Sequence, residues 1–263
     1  MNESNNWKYK DKNLNLLENF NSDSMQSEKR EKLLNIIDES KKTELNEIFE
    51  NGLNIKYEQF KRYFYEINLF MFKELEYNIS ESINCLIIGA NIASITNTNL
   101  ILERALKLAL IQYEVGKLCD YNDKKIINEY IEADKKYSNE PMGKNIQKCK
   151  KYKILSEEEA KELRKYKLKF RDGFSHFTPS NILKGENNLT FISLPIKNSE
   201  LDKSLKMPNF QSAEVRQFAI NNAEEHLKYV LGIINHLQHK VLEKYKEIKS
   251  SAGNKSNHST IKI

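Results

Sequence analysis

Near its carboxyl end the chain carries one apolar stripe that repeats every three or four residues between 212 and 248. Its members are Val215, Ala219, Ala223, Leu227, Val230, Ile234, Leu237, Val241 and Tyr245. This spacing places all of them on one face of a single long helix. Because such a helix is stable only when its apolar face is packed, we expect a long partner helix, either elsewhere in the chain or in a second copy.

Other patterns along the chain also favour helices. Glycine and proline are scarce, with 8 and 4 in 263 residues, which disfavours a turn-rich β fold. Apolar residues have helical spacing over 54–78, and 98–118 is apolar around most of its circumference, which predicts a central helix. Only 189–196 alternates like a strand, within an insertion at 184–211. We expect an all-α helical bundle with a long C-terminal helix and a short β-like insertion.

The domain organisation follows from where these periods begin and end. Residues 1–27 and 249–263 lack an apolar period, so we predict mobile tails on either side of a single helical domain at 28–248. The longest apolar stretch, 83–95, is too short to span a bilayer. The first residues have no apolar segment of a signal peptide, and three widely spaced cysteines favour a reducing compartment. We expect a soluble, cytoplasmic protein with no membrane partner.

The net charge and the absence of common motifs reduce the number of function classes that suit this chain. A net charge of +5 is compatible with a nucleic-acid partner, although the lysine-rich composition alone could produce it. The sequence contains no glycine-rich phosphate loop, GxSxG or HExxH. His236 and His239 are three residues apart, but no cysteine or carboxylate completes a metal-binding set at the required spacing. We expect neither a cofactor nor a metal ion.

One stretch, "KFRDGFSHFTPSNIL" at 169–183, combines polar residues of catalytic type with aromatic ones. A capping box at 156–159 predicts the start of its helix. Phe170, Phe174 and Phe177 repeat at helical spacing, so we expect them on the buried face. Four polar side chains would then be directed towards a cleft: Arg171, Asp172, Ser175 and His176.

These residue types suit the cleavage of RNA without a metal ion. Histidine exchanges protons near neutral pH, so His176 could act as general base or acid. Arg171 offers a permanent charge and a planar fork of donors that matches phosphate oxygens. The alternative is a purely structural helix end. In it, Pro179 stops the helix and His176 in the last turn interacts favourably with the helix dipole.

The segment "RDGFSH" resembles the signature of the HEPN superfamily, in which an Arg is followed four to six residues later by a His and directly by a polar residue. Arg171, Asp172 and His176 occupy those positions, and the resemblance extends in outline over 54–248. It implies a metal-independent endoribonuclease of a toxin–antitoxin or antiviral system, usually a homodimer with both motifs in one cleft. Many HEPN domains are inactive binding modules. This chain departs from the common pattern with Asp172 in place of Asn, and with Gly173 inside the motif.

The resemblance leads to one expectation for the function and one alternative. The first is an RNA-cleaving protein of a bacterial defence or toxin system, with RNA, a second copy and a cognate antitoxin or regulatory protein as partners. His176 would be the general acid/base, Arg171 the phosphate binder and Asp172 the residue that orients one of them; Glu103 and Glu114 are second-rank candidates. The alternative is a non-catalytic helical dimer that acts as a regulatory or binding subunit.

Helix geometry adds a constraint. Five residues of an ideal helix turn about 500°, so the side chains of Arg171 and His176 would point about 140° apart. We therefore expect either a helix that loosens at Gly173 or a site completed by a second chain.

Overall fold

The computed structural model describes the backbone of residues 27–183 and 208–256, and the side chains of 29–183 and 211–247. The predicted strand at 189–196 lies outside the described residues, as does the predicted amino-terminal tail apart from Ser27. The described residues contain no strand, and the fold is all-α.

The helices of the amino-terminal half include short and irregular turns. They are α1 (Ser27–Asn51), a π-helical turn (Gly52–Lys56), α2 (Tyr57–Phe60), α3 (Arg62–Tyr65), a 3₁₀ turn (Lys73–Leu75), α4 (Glu76–Ile87) and α5 (Asn91–Val115). The helices that follow are α6 (Lys124–Ser138), α7 (Met142–Lys151), α8 (Glu157–Tyr166), a second π-helical turn (Lys167–Asp172), α9 (Gly173–Ser175), α10 (Pro179–Ile182) and α11 (Pro208–Ser256).

The chain divides into two compact units, Met1–Glu58 and Gln59–Ile263. The described part of the first unit is α1, the π-helical turn after it and the first two residues of α2. The second unit contains the remaining elements, including the stretch that resembles the HEPN signature. The predicted single domain at 28–248 overlaps both units.

Helix α5 is the centre of the second unit, as its apolar sequence predicts. It contacts α4, α6, α7, α11 and the π-helical turn at 167–172. Along α5 the side chains of Ile95, Ile101, Leu106 and Leu110 are almost fully buried. A helix that is apolar on most sides packs in this way because each face needs a partner.

The stripe of α11 is covered within the same chain. All nine of its apolar members, from Val215 to Tyr245, are buried, and the helix packs mainly along α5. Of the two partners that the stripe allows, the structure has the intramolecular one, so this stripe does not require a second copy. The helix also continues to Ser256, past the predicted end at 248.

The helix expected at 54–78 is interrupted. Helix α3 ends at Tyr65, and the chain resumes helical turns only at Lys73. The buried side chain of Gln238 on α11 accepts hydrogen bonds from the backbone N–H groups of Met71 and Phe72, at 2.9 and 3.2 Å, and donates to the carbonyl of Asn68 at 3.0 Å. These bonds satisfy backbone groups that a continuous helix would pair internally.

The predicted capping box at the start of α8 is confirmed. The Ser156 hydroxyl accepts from the Glu159 backbone N–H at 3.1 Å, and the Glu159 carboxylate accepts from the Ser156 N–H at 2.7 Å. Both bonds satisfy amide groups that have no partner within the helix. This fixes the beginning of the helix that leads into the candidate site.

No helix in the described part of the chain is long and apolar enough to cross a lipid bilayer.

Candidate functional site

The motif stretch begins in a widened, π-helical turn. Helix α8 is regular up to Tyr166, and Lys167–Asp172 then forms π-type turns before α9 resumes at Gly173. Such turns carry bonds between residues five apart, and they occur frequently at functional sites. The helix therefore does loosen, but the loosening begins at Lys167 and not at Gly173, where the sequence predicts it.

The motif helix ends at Ser175, and His176 is its C-cap residue. The backbone N–H of Thr178 donates to the carbonyl of Gly173 at 2.7 Å, and that of Phe177 donates to Phe174 at 3.2 Å. This pair of bonds is a Schellman motif, in which the residue after the cap adopts the left-handed conformation. Phe177 has that conformation, with φ of 44°, which is strained for a residue other than glycine.

The prediction that three phenylalanines hold the buried face is wrong for one of them. Phe170 and Phe174 are buried, whereas Phe177 is 47% exposed. The reason is local: the spacing of the three phenylalanines continues the helical repeat, but the backbone at Phe177 turns left-handed. Its side chain therefore leaves the face that Phe170 and Phe174 share.

Gly173 allows a close approach between two elements. A Cβ added at this position would lie 2.7 Å from Cγ1 of Ile182, which is fully buried on α10. The glycine inside the motif therefore has a packing role, since it lets α10 fold back against the motif helix.

Arg171 and Asp172 belong to a row of alternating charges. The Arg171 guanidinium lies 3.2 Å from Asp172 Oδ1 through Nη1 and 3.5 Å from Glu103 Oε2 through Nε. Asp172 is also bound by Lys167, which the π turn brings one turn away, and Glu103 is paired with Lys107 at 3.2 Å. The side chains of this row, Lys107, Glu103, Arg171, Asp172 and Lys167, are all partly buried. Partly buried charges need an opposite charge nearby, and each of these has one. Asp172 and Glu103 thus hold Arg171 in one orientation.

His176 stands apart from this row. Its side chain is exposed at the end of the motif helix, and its backbone N–H donates to the carbonyl of Asp172 at 3.3 Å. Among the described residues the His176 ring has no hydrogen-bond or ion-pair partner. The ring is therefore available to a molecule that approaches from solvent.

Beneath the motif, a buried pair of side chains fixes its backbone. The amide nitrogen of Asn99 on α5 donates to the carbonyl of Phe170 at 3.0 Å. The amide oxygen of Asn99 lies 3.0 Å from Nε2 of His226 on α11. Because Asn99 uses its NH₂ group on Phe170, its oxygen must accept, and His226 must carry its proton on Nε2. One amide therefore joins α5, α11 and the π-helical turn.

The environment keeps His226 neutral. Burial lowers the pKa of His226 from 6.5 to about 3, because the charged ring would lose its hydration. Its Nδ1 is buried without a hydrogen-bond partner among the described residues. On its faces His226 stacks on Phe170, with ring centres 4.1 Å apart, and on Tyr166, at 5.8 Å. Tyr166 and Phe170 also stack on each other, with ring centres 5.0 Å apart, so the three rings form one compact cluster under the motif.

An open groove of about 540 Å³ lies beside the motif helix. Three lysines follow one another along it at intervals of four residues: Lys161, Lys165 and Lys169. Glu158 and Glu162 also line the groove, and Tyr166 and Phe170 contribute apolar surface.

The second-rank candidate Glu114 and two further described histidines, His236 and His239, have structural contacts. Glu114 is ion-paired with Lys136 at 2.7 Å and accepts a hydrogen bond from Tyr137. His236 lies 3.3 Å from Glu159 Oε1, and His239 packs edge-on against Phe70. Within the described ranges no group of three or more His, Cys, Asp or Glu side chains could hold a metal ion.

Comparison with models of known protein families, with curated proteins and with solved structures finds no match.

Of the predicted site residues, Arg171 and Asp172 form an ion pair in the structure. His176, four residues further along the chain, is exposed and does not join this pair. Sequence reasoning missed Asn99 and the role of His226. A signal for both was present, since each is a polar residue inside a strongly apolar helical pattern, where it must find a buried partner.

We expect Gly173→Ala to lower the free energy of unfolding by about 1–3 kcal/mol, because the added methyl group overpacks against Ile182. The matched control is Gly232→Ala on α11, where the added Cβ meets nothing within 4 Å. That change should be neutral or stabilising by up to about 1 kcal/mol through helix propensity. Urea unfolding of both variants measures the difference, and an equal effect at both sites would contradict the packing role.

We expect burial of neutral His226 to make stability depend on pH. The unfolded chain binds a proton at this residue below pH 6.5 and the folded chain does not, so the contribution is complete above pH 6.5 and is lost as the pH falls towards 3. Over that window the free energy of unfolding should fall by about 1.4 kcal/mol per pH unit for this group.

The variant His226→Gln should be less stable at neutral pH but should lose this part of the pH dependence. Denaturant unfolding at pH 7.5 and pH 5.5 measures how much the free energy of unfolding changes with pH. The control is His239→Gln, a substitution at an exposed position on the same helix. If the free energy of unfolding of His226→Gln changes with pH as much as that of the wild type, the His226 ring is not held neutral.

Proposed function

We propose that this chain is a metal-independent endoribonuclease, a HEPN-like protein of a bacterial defence or toxin–antitoxin system. In this proposal it acts in the cytoplasm as a homodimer, with RNA as substrate and a cognate antitoxin or regulatory protein as a further partner. The observation that carries the proposal is the exposed ring of His176 just after α9, four residues beyond a π-helical segment that ends with Arg171 and Asp172, where Asp172 orients Arg171.

The surroundings of His176 support a chemical role. Neighbouring Phe177 is both exposed and held in a strained left-handed conformation, and strain of this kind clusters at active sites. The motif backbone is anchored from below through Asn99, so the exposed surface rests on a rigid base. Three lysines and two glutamates line the adjacent groove, so its lining carries a small excess of positive charge, as a phosphate chain requires.

The proposed reaction is a transesterification followed by product release. His176 takes the proton from a ribose 2′-OH, and the oxygen attacks the adjacent phosphorus. The bond to the 5′-oxygen breaks, and that oxygen leaves with the proton that His176 took from the 2′-OH, so the products are a 2′,3′-cyclic phosphate and a 5′-hydroxyl. Arg171 stabilises the charge on the phosphate oxygens during this step.

One observation favours the alternative, a non-catalytic binding or regulatory subunit. The charge of Arg171 is already shared by the carboxylates of Asp172 and Glu103. In a catalytic role the guanidinium would have to exchange part of these contacts for the phosphate. In a structural role the same contacts would only join the motif to α5.

The proposed activity predicts that the purified protein cleaves single-stranded RNA in the presence of EDTA and leaves the matching DNA intact, because DNA lacks the 2′-OH. The 5′ fragments should end in 2′,3′-cyclic phosphate. His176→Ala should lower the cleavage rate by about 10²–10⁴, the usual contribution of a positioned proton-transfer group. Arg171→Lys should also be impaired, since lysine loses the bidentate fork.

The matched controls are His239→Ala, an exposed histidine on α11, and Arg164→Lys, an exposed arginine on α8. Both should retain full cleavage. Full activity in His176→Ala would rule out the mechanism. RNA binding in a gel-shift assay with no cleavage under any condition would instead favour the binding-subunit alternative.

A further inference from the structure

The excess positive charge of the chain is concentrated in residues 140–172, which contain α7, α8 and the π-helical turn before the candidate site. This segment has 11 lysine and arginine residues and 6 aspartate and glutamate residues, a net charge of +5. The whole chain has 42 basic and 37 acidic residues, so 31 of each sign remain outside the segment. The basic character of the protein therefore belongs to one region and is not spread along its lysine-rich sequence.

Helices α7 and α8 form an antiparallel hairpin. Nη2 of Arg164 on α8 donates to Oε1 of Gln147 on α7 at 2.6 Å. Nearer the turn, Lys150 Nζ on α7 lies 2.5 Å from Glu157 Oε2 at the start of α8. The two helices turn their apolar side chains inward, where these are buried: Met142, Ile146, Cys149, Ala160 and Leu163. The outer side of the hairpin is consequently polar.

Five exposed cations lie on this outer side, and together they define the hairpin surface: Lys144 and Lys151 on α7, and Lys161, Arg164 and Lys165 on α8. At about 100° per residue, the two lysines of α7 lie about 20° apart around their helix. The three cations of α8 lie within an arc of about 100°. Each helix therefore presents its cations on one side.

Neighbouring carboxylates do not neutralise the hairpin surface. None of its five cations has a carboxylate within 4.0 Å in the described part of the chain, and Arg164 bonds a neutral amide. Three carboxylates are exposed on α8 beside these cations or line the adjacent groove. Glu157 is paired with Lys150, whereas Glu158 and Glu162 lie in the groove lining. With these two counted, the hairpin surface keeps an excess of positive charge.

This charge suits the phosphate backbone of a nucleic acid better than a lipid bilayer. A helix that lies on a membrane inserts an apolar face, and the apolar faces of α7 and α8 are already buried. Leu168, just beyond α8, is 46% exposed, but a single leucine buries too little apolar area to anchor the chain. Lys161 and Lys165 also line the groove beside the motif, and α8 leads directly to Arg171. A strand that reaches Arg171 can therefore lie along the hairpin.

We propose that the hairpin surface holds the phosphate backbone of the RNA strand as it runs to the motif. The inference rests on the proposed function for the identity of the strand, and it extends the binding site to residues of α7 and α8. Lysine and arginine contact phosphates without reading the base sequence, and such binding weakens with salt because it releases counterions. Binding at this surface is therefore independent of the 2′-OH, which the proposed cleavage requires.

The test measures fluorescence anisotropy of a labelled single-stranded DNA over a series of salt concentrations. This probe has the phosphates of RNA and lacks the 2′-OH, so the wild-type chain can be used. The variant Lys144→Gln/Lys161→Gln removes one cation from each helix of the hairpin. The matched control, Lys124→Gln/Lys125→Gln, removes two exposed lysines of α6 in the same unit and changes the net charge equally. The melting temperature of each variant shows that it is folded.

The hairpin variant should bind the probe more weakly than the wild type at low salt. The slope of the logarithm of the binding constant against the logarithm of the salt concentration should become shallower by about 1.4, about 0.7 for each lost phosphate contact. The control should bind as the wild type does, and unlabelled RNA of the same sequence should displace the probe. Equal slopes in the hairpin variant and the control would overturn the proposal. So would a wild type that binds vesicles of anionic lipid but no nucleic acid.

The outcomes separate this inference from the proposed function. If binding depends on the hairpin lysines but the wild type does not cleave RNA, the hairpin surface stands and the proposed endoribonuclease fails. If the wild type cleaves RNA but the hairpin variant binds as the control does, the endoribonuclease stands and the hairpin surface fails.

Discussion

One buried amide group connects the parts of the second unit that matter for the motif. Asn99 lies on α5, the central helix, and its side chain bonds the Phe170 carbonyl in the π-helical turn and the His226 ring on α11. Since both partners are buried, neither bond can be replaced by water without opening the packing. The position of the motif backbone thus depends on the packing of α11 against α5, although the motif residues themselves lie at the surface.

The same arrangement separates the rigid and the reactive parts of the site. Phe170, Phe174 and the rings around His226 form the buried side. On the other side, Arg171 is restrained by two carboxylates, while His176 faces solvent. An endoribonuclease could use such a site if a phosphate competes with Asp172 and Glu103 for Arg171. A binding subunit could use the same charges simply to hold its shape.

Much of the helical architecture was predictable from the sequence, because the apolar periods of α5 and α11 are long and regular. The capping box at Ser156 was equally clear. The break between Tyr65 and Lys73 was not, because it depends on a glutamine 166 and 167 residues away that binds the backbone of Phe72 and Met71. The exposure of Phe177 was also missed, since a continuing helical period gives no sign of a left-handed turn.

The assignment of Arg171, Asp172 and His176 as site residues stays a prediction, and the tertiary contacts around these residues were not predictable from the sequence. The motif names Arg171, Asp172 and His176, whereas the pairing of Arg171 with Glu103 and the bond from Asn99 arise from tertiary packing between distant helices. The α11 stripe illustrates the limit, since its spacing predicts a long partner helix but does not show whether that helix belongs to the same chain or to a second copy.

Hydrogen exchange in the variant Asn99→Leu tests most directly whether this amide holds the motif. Leucine has nearly the same shape, so the packing of α5 is retained while the bonds from the Asn99 amide to Phe170 and to His226 are lost. The account predicts faster exchange at the backbone amides of 170–178, with little change along the middle of α5 and α11. Unchanged exchange at 170–178, or equal loss of protection throughout the second unit, would contradict it.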